Sequence, residues 1–358
     1  MTTSSVQLDL SNEGEESVHD LLHDHSGATT LAPSKHTWEC MVLPVLLVVV
    51  LAAGPFFLNP YWSFLANLAI IYALFTVGYD VLVGWSGQMG LAHAALCGLG
   101  AYGVTIMMQH GIPYFGALAL SAALAAVVAV IIGFPAIRLK GFFLAIATLA
   151  FGLVIVQVFT GAQSLTGGGA GIAVPGWSLP GYTPGASIYW LSLAITATVF
   201  LMMWRLLRGR FGRTLLAVKN VPHAAESLGV PVLRYRLFAF ALSGALAALG
   251  GGLFAQVQTY IFPEMFDTRL LVLMLVMVIL GGAQSMWGPV FGALFAVGIV
   301  QLLQDFGTYQ NLAYGLALML AIGFLPGGIV SLRVKANHVV RKIMRTSRQT
   351  LLPADLEA

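Results

Sequence analysis

Ten runs of predominantly apolar residues follow one another along the chain, near 41–58, 62–83, 90–109, 115–134, 142–161, 188–207, 237–257, 269–282, 287–305 and 311–330. Most approach the roughly 20 residues needed to cross a hydrocarbon core. In lipid each backbone amide must find its partner within its own segment, so runs of this length become helices. The expected fold is therefore all-α, a polytopic transmembrane helix bundle of about ten spans. Nine is the count if the short run 269–282 or the glycine-rich start of the third does not cross. Only 9% of the residues are charged and 58% are hydrophobic, against about 25% charged in soluble domains, so the membrane region is the protein.

Lysine and arginine fix the expected orientation, because loops near the cytoplasmic face retain them. With ten spans and a cytoplasmic N-terminus, sixteen of the seventeen basic residues fall inside, and Arg269 alone falls outside. Both termini are thus expected in the cytoplasm. Residues 1–38 form a polar tail without periodicity, expected to be disordered, and residues 1–39 hold seven acids against the single base Lys35. A solvated tail is preferred there over a metal site at His19, His23 and His25. About 38 polar residues precede the first apolar run, so no secretory signal peptide is expected. A transmembrane domain is expected over 39–332 and a basic cytoplasmic tail over 333–358.

Small residues recur every fourth position in three runs: Gly90, Ala94 and Gly98; Gly244, Ala248 and Gly252; Gly288, Gly292 and Ala296. Such stripes let helix backbones approach closely. They bear on packing and leave the solute open.

Several chemistries are missing. No G-x-x-x-x-G-K-[ST] occurs, so the chain has no phosphate loop of its own. "TGGGAGI" at 166–172 has the glycines but falls in an expected external loop. Neither H-E-x-x-H nor G-x-S-x-G is present, and Cys40 and Cys97 are the only cysteines, so no catalytic residues, no metal centre and no disulfide framework are expected. Asp80 and Asp305 fall near span ends, leaving His93 as the titratable residue well inside one. Ion coupling through buried side chains is therefore poorly supported. Ser86, Gln88, His93 and Thr148 are polar residues in apolar surroundings and should face the interior, as candidates for a translocation pathway or for hydrogen bonds between helices.

The longest internal hydrophilic stretch spans 208–236, and residues 212–240 read "GRTLLAVKNVPHAAESLGVPVLRYRLFAF". Leu215, Leu216, Val218, Ala225 and Leu228 are spaced among Lys219, His223 and Glu226, which suits a short amphipathic helix under the bundle. It is either an interfacial helix or a docking helix for a partner protein.

Within it, "HAAESLG" resembles the E-A-A-x-x-x-G loop by which ABC importer permeases engage their ATPase. "GYDVLVGWSGQMGLAHAALCGLGAYG", "RLKGFFLAIATLAFG", "TGGGAGI" and "GGAQSMWGPVFGA" resemble, in order, segments of branched-chain amino acid ABC permeases of the LivM type, across roughly 75–330. The resemblance implies a coupling loop at Asn220, His223, Ala224, Ala225, Glu226 and Gly229, and matches His93 to the family's signature histidine. It further implies a second related permease subunit or second copy, two ATP-binding subunits, a periplasmic substrate-binding protein and a bacterial inner membrane. No cofactor is implied for this chain, since ATP would be bound by the partner subunits. Membrane lipid accounts for the basic residues without nucleic acid. The implied function is uptake of branched-chain or related amino acids; permeases of the same type for urea, amides or other small solutes are the alternative, and a stand-alone secondary transporter or facilitator a remoter one.

Overall fold

A computed structural model describes residues 59–139 and 141–303, with isolated positions at 54, 315, 316 and 319. The expected tails 1–38 and 333–358, with His19, His23 and His25, lie outside the described residues, as do Cys40, Asp305 and nearly all of the runs 41–58 and 311–330.

Eight of the expected runs coincide with helices: α1 (Pro60–Asp80), α2 (His93–Gln109), α3 (Tyr114–Ala136), α4 (Phe142–Gly161), α6 (Pro184–Arg208), α9 (Val232–Gln258), α10 (Thr268–Gly281) and α11 (Gly288–Leu302). A four-residue turn of helix, α5 (Gln163–Thr166), follows α4, and α7 (Arg210–Asn220) and α8 (Pro222–Ser227) lie between α6 and α9. Among the described residues five helices are long and apolar enough to cross a membrane: α1 with its extension to Trp85, α3, α4, α6 and α9. The other three, α2, α10 and α11, have 17, 14 and 15 residues.

Helix α9 is the hub, packed against α1, α2 and α3. Its "GGG" at 250–252 explains how one helix serves three neighbours, since consecutive residues on an α-helix point about 100° apart. A side chain on Gly250 would strike Phe75 of α1 at 2.7 Å. One on Gly251 would land on the carbonyl of Cys97 in α2, and one on Gly252 on Leu118 of α3 at 2.6 Å and Val104 of α2 at 2.8 Å. Gly100 of α2 answers with the same intimacy against the backbone of Ala248. Along α9, Gly244 meets Ala129 and Ala125 of α3, at 2.5 and 2.9 Å. Small residues at these positions leave room for close helix contacts, which matter where no hydrophobic drive exists between helices in lipid.

The other stripes differ in detail. Gly98 admits Phe159 and Phe266 at 2.8 and 3.0 Å, and Gly292 lies against the backbone of Met277 in α10. Gly288 abuts Gly281 and Gly282. Gly90, expected inside a helix, precedes it: α2 begins at His93, and Gly90 sits in an irregular turn beneath Leu82 and Phe240.

Burial separates interior from periphery. In the most apolar stretch of α1 78% of residues are buried, and in α9 67%, whereas α4 buries only 28% and carries exposed Phe142, Phe143, Leu153, Val154 and Val158. At the end of the molecule where α9 finishes, β1 (Ile172–Ala173) pairs antiparallel with β2 (Tyr260–Ile261). This joins the two loops 162–187 and 257–268. "TGGGAGI" is a tight turn into that pairing, with Gly167, Gly168 and Gly171 at φ of +69°, +60° and +79°, the left-handed region glycine favours.

Candidate functional site

The opposite end holds a hydrophilic elbow, built by α7 and α8. Gly209 breaks the chain after α6, whose last turn carries Arg205 and Arg208, cations well placed at the negative end of a helix dipole. Helix α7 then buries Gly212, Leu215 and Val218 on one face and exposes Arg210, Arg213 and Asn220. The amphipathic helix foreseen in this stretch is therefore 210–220, upstream of "HAAESLG". Pro222 stops it, because proline lacks the N–H that would continue the ladder, and serves instead as the first residue of α8.

Helix α8 closes on a two-bond C-terminal cap: Val230 N–H donates to Ala225 O at 3.0 Å and Gly229 N–H to Glu226 O at 2.9 Å. That pattern requires a left-handed residue after the helix, and Gly229, at φ +79°, supplies it. The elbow's two faces differ sharply. Ala225 is buried in a small cluster with Val218 and Val232. His223, Ala224, Glu226, Ser227 and Gly229 point out, and Leu228 at the tip is 84% exposed. His223 and Glu226 stand 3.8 Å apart on the exposed face. Of the expected loop residues, Ala225 thus holds the elbow together and the others border its outer face; Leu228, which the motif's spacing hides in an unspecified position, is exposed beside them.

The four buried polar candidates gather around the connection between α1 and α2. After Asp80 helix α1 widens into a π turn, Val81–Trp85. Gln88 donates through Nε2 to Ser86 Oγ and, at 3.4 Å, to the carbonyl of Arg236; its Oε1 has no partner among the described residues. Thr148 of α4 donates to the carbonyls of Leu144 and Ala145 and accepts Leu91 N–H at 2.9 Å. The His93 ring lies against that of Tyr79, 5.0 Å between ring centres and tilted by 36°, with Nδ1 3.1 Å from Ser243 Oγ of α9. All four are buried. The cavity beside His93 and Ser243 measures only about 10 Å³, room for one water at most. Ser86, Gln88, His93 and Thr148 are thus all interior residues, three of them with hydrogen bonds to another part of the chain. Thr148→Val is expected to strand the Leu91 N–H and cost about 1–3 kcal/mol. Thermal unfolding in detergent checks this, with Thr148→Ser retaining the bond and the native midpoint.

A larger cavity, about 350 Å³, opens at the β1–β2 end between α1, α6 and α9, lined by Phe64, Asn67, Trp177, Tyr189 and Gln256. Gln256 is committed there, accepting Trp177 N–H and donating to Pro175 O. Among the described residues no group of three His, Cys, Asp or Glu side chains is placed to hold a metal.

Comparison with known proteins fits this geometry. The chain is 30% identical over 313 residues to the high-affinity branched-chain amino acid transport system permease protein LivM of Escherichia coli K12, covering 80% of this chain and 74% of that one. It is 28% identical to the probable branched-chain amino acid transport permease protein LivM of Methanocaldococcus jannaschii, covering 79% and 85%. It is also 29% identical to the autoinducer 2 import system permease protein LsrC of Klebsiella pneumoniae, covering 77% and 82%. The family model for "Branched-chain amino acid transport system / permease component" matches residues 61–326, which include every helix from α1 to α11 apart from the first residue. By that match the chain is a multi-pass membrane permease and belongs to the family of branched-chain amino acid transport system permease components.

Proposed function

We propose that this chain is one of two permease subunits of an ABC importer in a bacterial inner membrane, taking up branched-chain or related amino acids. The observation that carries the reading is the elbow α7–α8: a capped, protruding helix with Ala224 and Leu228 free for another protein, on a chain that has no nucleotide loop of its own. An exposed apolar tip ringed by polar residues is what a docking surface presents. Two ATPase subunits engage the elbows from the cytoplasm, where both termini also lie, and ATP binding draws the elbows together and swings the bundle between inward- and outward-facing states. At the other face, a periplasmic binding protein delivers solute to the paired loops 162–187 and 257–268, with Glu264 and Asp267 at hand.

The path for solute runs along a face shared with the second permease, whether a related subunit or a copy of this one. In this division of labour Ser86, Gln88, His93 and Thr148 set the shape of the 86–92 connection. The LsrC relatives, whose name specifies autoinducer 2, keep other small solutes open.

The test is uptake of radiolabelled leucine into proteoliposomes holding the complete transporter. Uptake is expected to require ATP, the ATPase subunits and the binding protein, and to be competed by valine and isoleucine but not by urea or acetamide. Competition by urea or acetamide alone assigns the alternative solute class. Solute movement by the purified chain without any ATPase overturns the importer reading in favour of a facilitator.

A further inference from the structure

The elbow and the α1–α2 connection, 135 residues apart in sequence, are joined by one side chain. Lys219, at the end of α7, donates through Nζ to the carbonyl of Gly84 at 2.6 Å. That carbonyl is available because the π turn ends at Trp85 and the chain leaves the helix, so the last carbonyls have no amide to accept from. The ammonium also sits at the negative end of the α1 dipole, where a cation is favoured. To reach it, the Lys219 stem passes over Gly87, where a side chain would collide with Lys219 Cγ at 2.7 Å; Gly87 is also left-handed, at φ +69°.

The carboxyl group of Asp80 also lies against Gly84. A side chain there would run into the carboxylate of Asp80, and the backbone nitrogen of Gln284 would lie 3.1 Å away. Asp80 Oδ1 in turn accepts Gln284 N–H at 3.1 Å, holding the α10–α11 turn. Gln284 is one of two non-glycine residues with positive φ among the described residues, at +64°, a conformation that costs about 1–2 kcal/mol and is retained here with its amide aimed at Asp80. A part-buried lysine contact and a buried aspartate side chain therefore converge on one glycine and tie together α7, the 81–92 segment and the turn before α11.

We propose that Lys219 is the residue that transmits movement of the α7–α8 elbow to the α1–α2 connection, by its grip on Gly84. This deepens the proposed function and rests on the reading of the elbow as an ATPase dock. Lys219 touches neither nucleotide nor ATPase in this scheme; it is a positioning residue. Its stem and headgroup make the elbow and the connection move as one body, while Asp80 and Gln284 carry the displacement on to α10 and α11.

The test uses the complete transporter, assembled with its ATPase subunits in proteoliposomes, in a Cys40→Ser, Cys97→Ala background. Met89, exposed in the connection, is changed to cysteine and its rate of modification by a maleimide is compared without nucleotide and after trapping with ATP and vanadate. With Lys219 present, trapping is expected to change the rate several-fold. Lys219→Met is expected to erase that change while the ATPase subunits still co-purify and hydrolyse ATP, and Lys219→Arg to restore most of it, since a guanidinium can still donate to Gly84. Retention of the full change in Lys219→Met overturns the proposal, as does absence of any change with the native lysine. ATPase subunits that fail to co-purify with the native-lysine chain sink the docking reading itself, a separate result from an intact complex whose connection ignores Lys219.

Discussion

Gly251→Leu is expected to leave no folded protein, whereas Gly298→Leu should be tolerated. Both glycines lie in helices of the bundle, so propensity does not separate them; a leucine is a better helix former than glycine by roughly 1 kcal/mol at either place. Space does. A side chain at Gly298 meets nothing within 4 Å, while one at Gly251 lands on the Cys97 carbonyl. The obstacle is backbone on a neighbouring helix and cannot rotate away, unlike the end of a flexible side chain. Relief requires α9 to withdraw from α2, and that withdrawal also pulls Gly100 from Ala248 and Gly252 from Val104. Overpacking a core with a side chain typically costs about 1–3 kcal/mol. Separating the hub helix from its neighbours adds the loss of those contacts and exceeds what a marginally stable fold can absorb. Size-exclusion chromatography of detergent-solubilised protein is the measurement: Gly298→Leu should elute as the native chain does and Gly251→Leu as aggregate, if it accumulates at all. A Gly251→Leu protein with native elution and native thermal midpoint would mean that the α2–α9 contact does not hold the bundle.

How much of this was legible in the sequence depends on how far apart the cooperating residues lie. Apolar runs give helices because a helix satisfies its own backbone, and each of the eight runs within the described residues has one. Packing was half visible. Spacing by four picks out Gly244 and Gly252 as one stripe, but Gly251 falls off that stripe and is the more closely approached, because the stripe rule imagines a single partner helix and α9 has three. Gly90 shows the opposite failure, a residue in register with a helix that has not yet begun.

At the site, the elbow was readable as a hydrophilic interruption, and Pro222 and Gly229 were there to mark its inner boundaries. Which alanine of the pair faces inward was not, since it depends on Val218 and Val232 closing over Ala225. The contacts that tie the interior together are long-range: His93 with Ser243, Lys219 with Gly84, Asp80 with Gln284, separated by 150, 135 and 204 residues. No local pattern announces them. Gln88 and Ser86, two residues apart, meet in a turn whose shape is set by the π turn before it.

The elbow's two alanines supply the second decisive experiment, because they are adjacent and should fail differently. Ala224→Trp places an indole on the exposed face of α8, where this chain has nothing to clash with it. Insertion, elution and thermal midpoint are expected to remain native. If the ATPase seats against that face, the bulk removes a central contact, and truncating or blocking such a contact costs about 2–4 kcal/mol, roughly 30- to 1000-fold in affinity. Co-purification of the ATPase subunits and ATP-dependent leucine uptake should then both collapse. Ala225→Leu instead inserts three carbons between Val218 and Val232, so the elbow's own packing gives way first, and the expected signs are a lowered midpoint and faster proteolysis near residue 221, with ATPase binding reduced only as the elbow loosens. A sequence-level reading of the motif treats the two residues as equivalent small contacts, and the folded elbow does not. Should Ala224→Trp keep its ATPase while Ala225→Leu loses it with an unchanged midpoint, the face of α8 that binds the partner would be the one now turned inward, and docking would have to begin by opening the elbow.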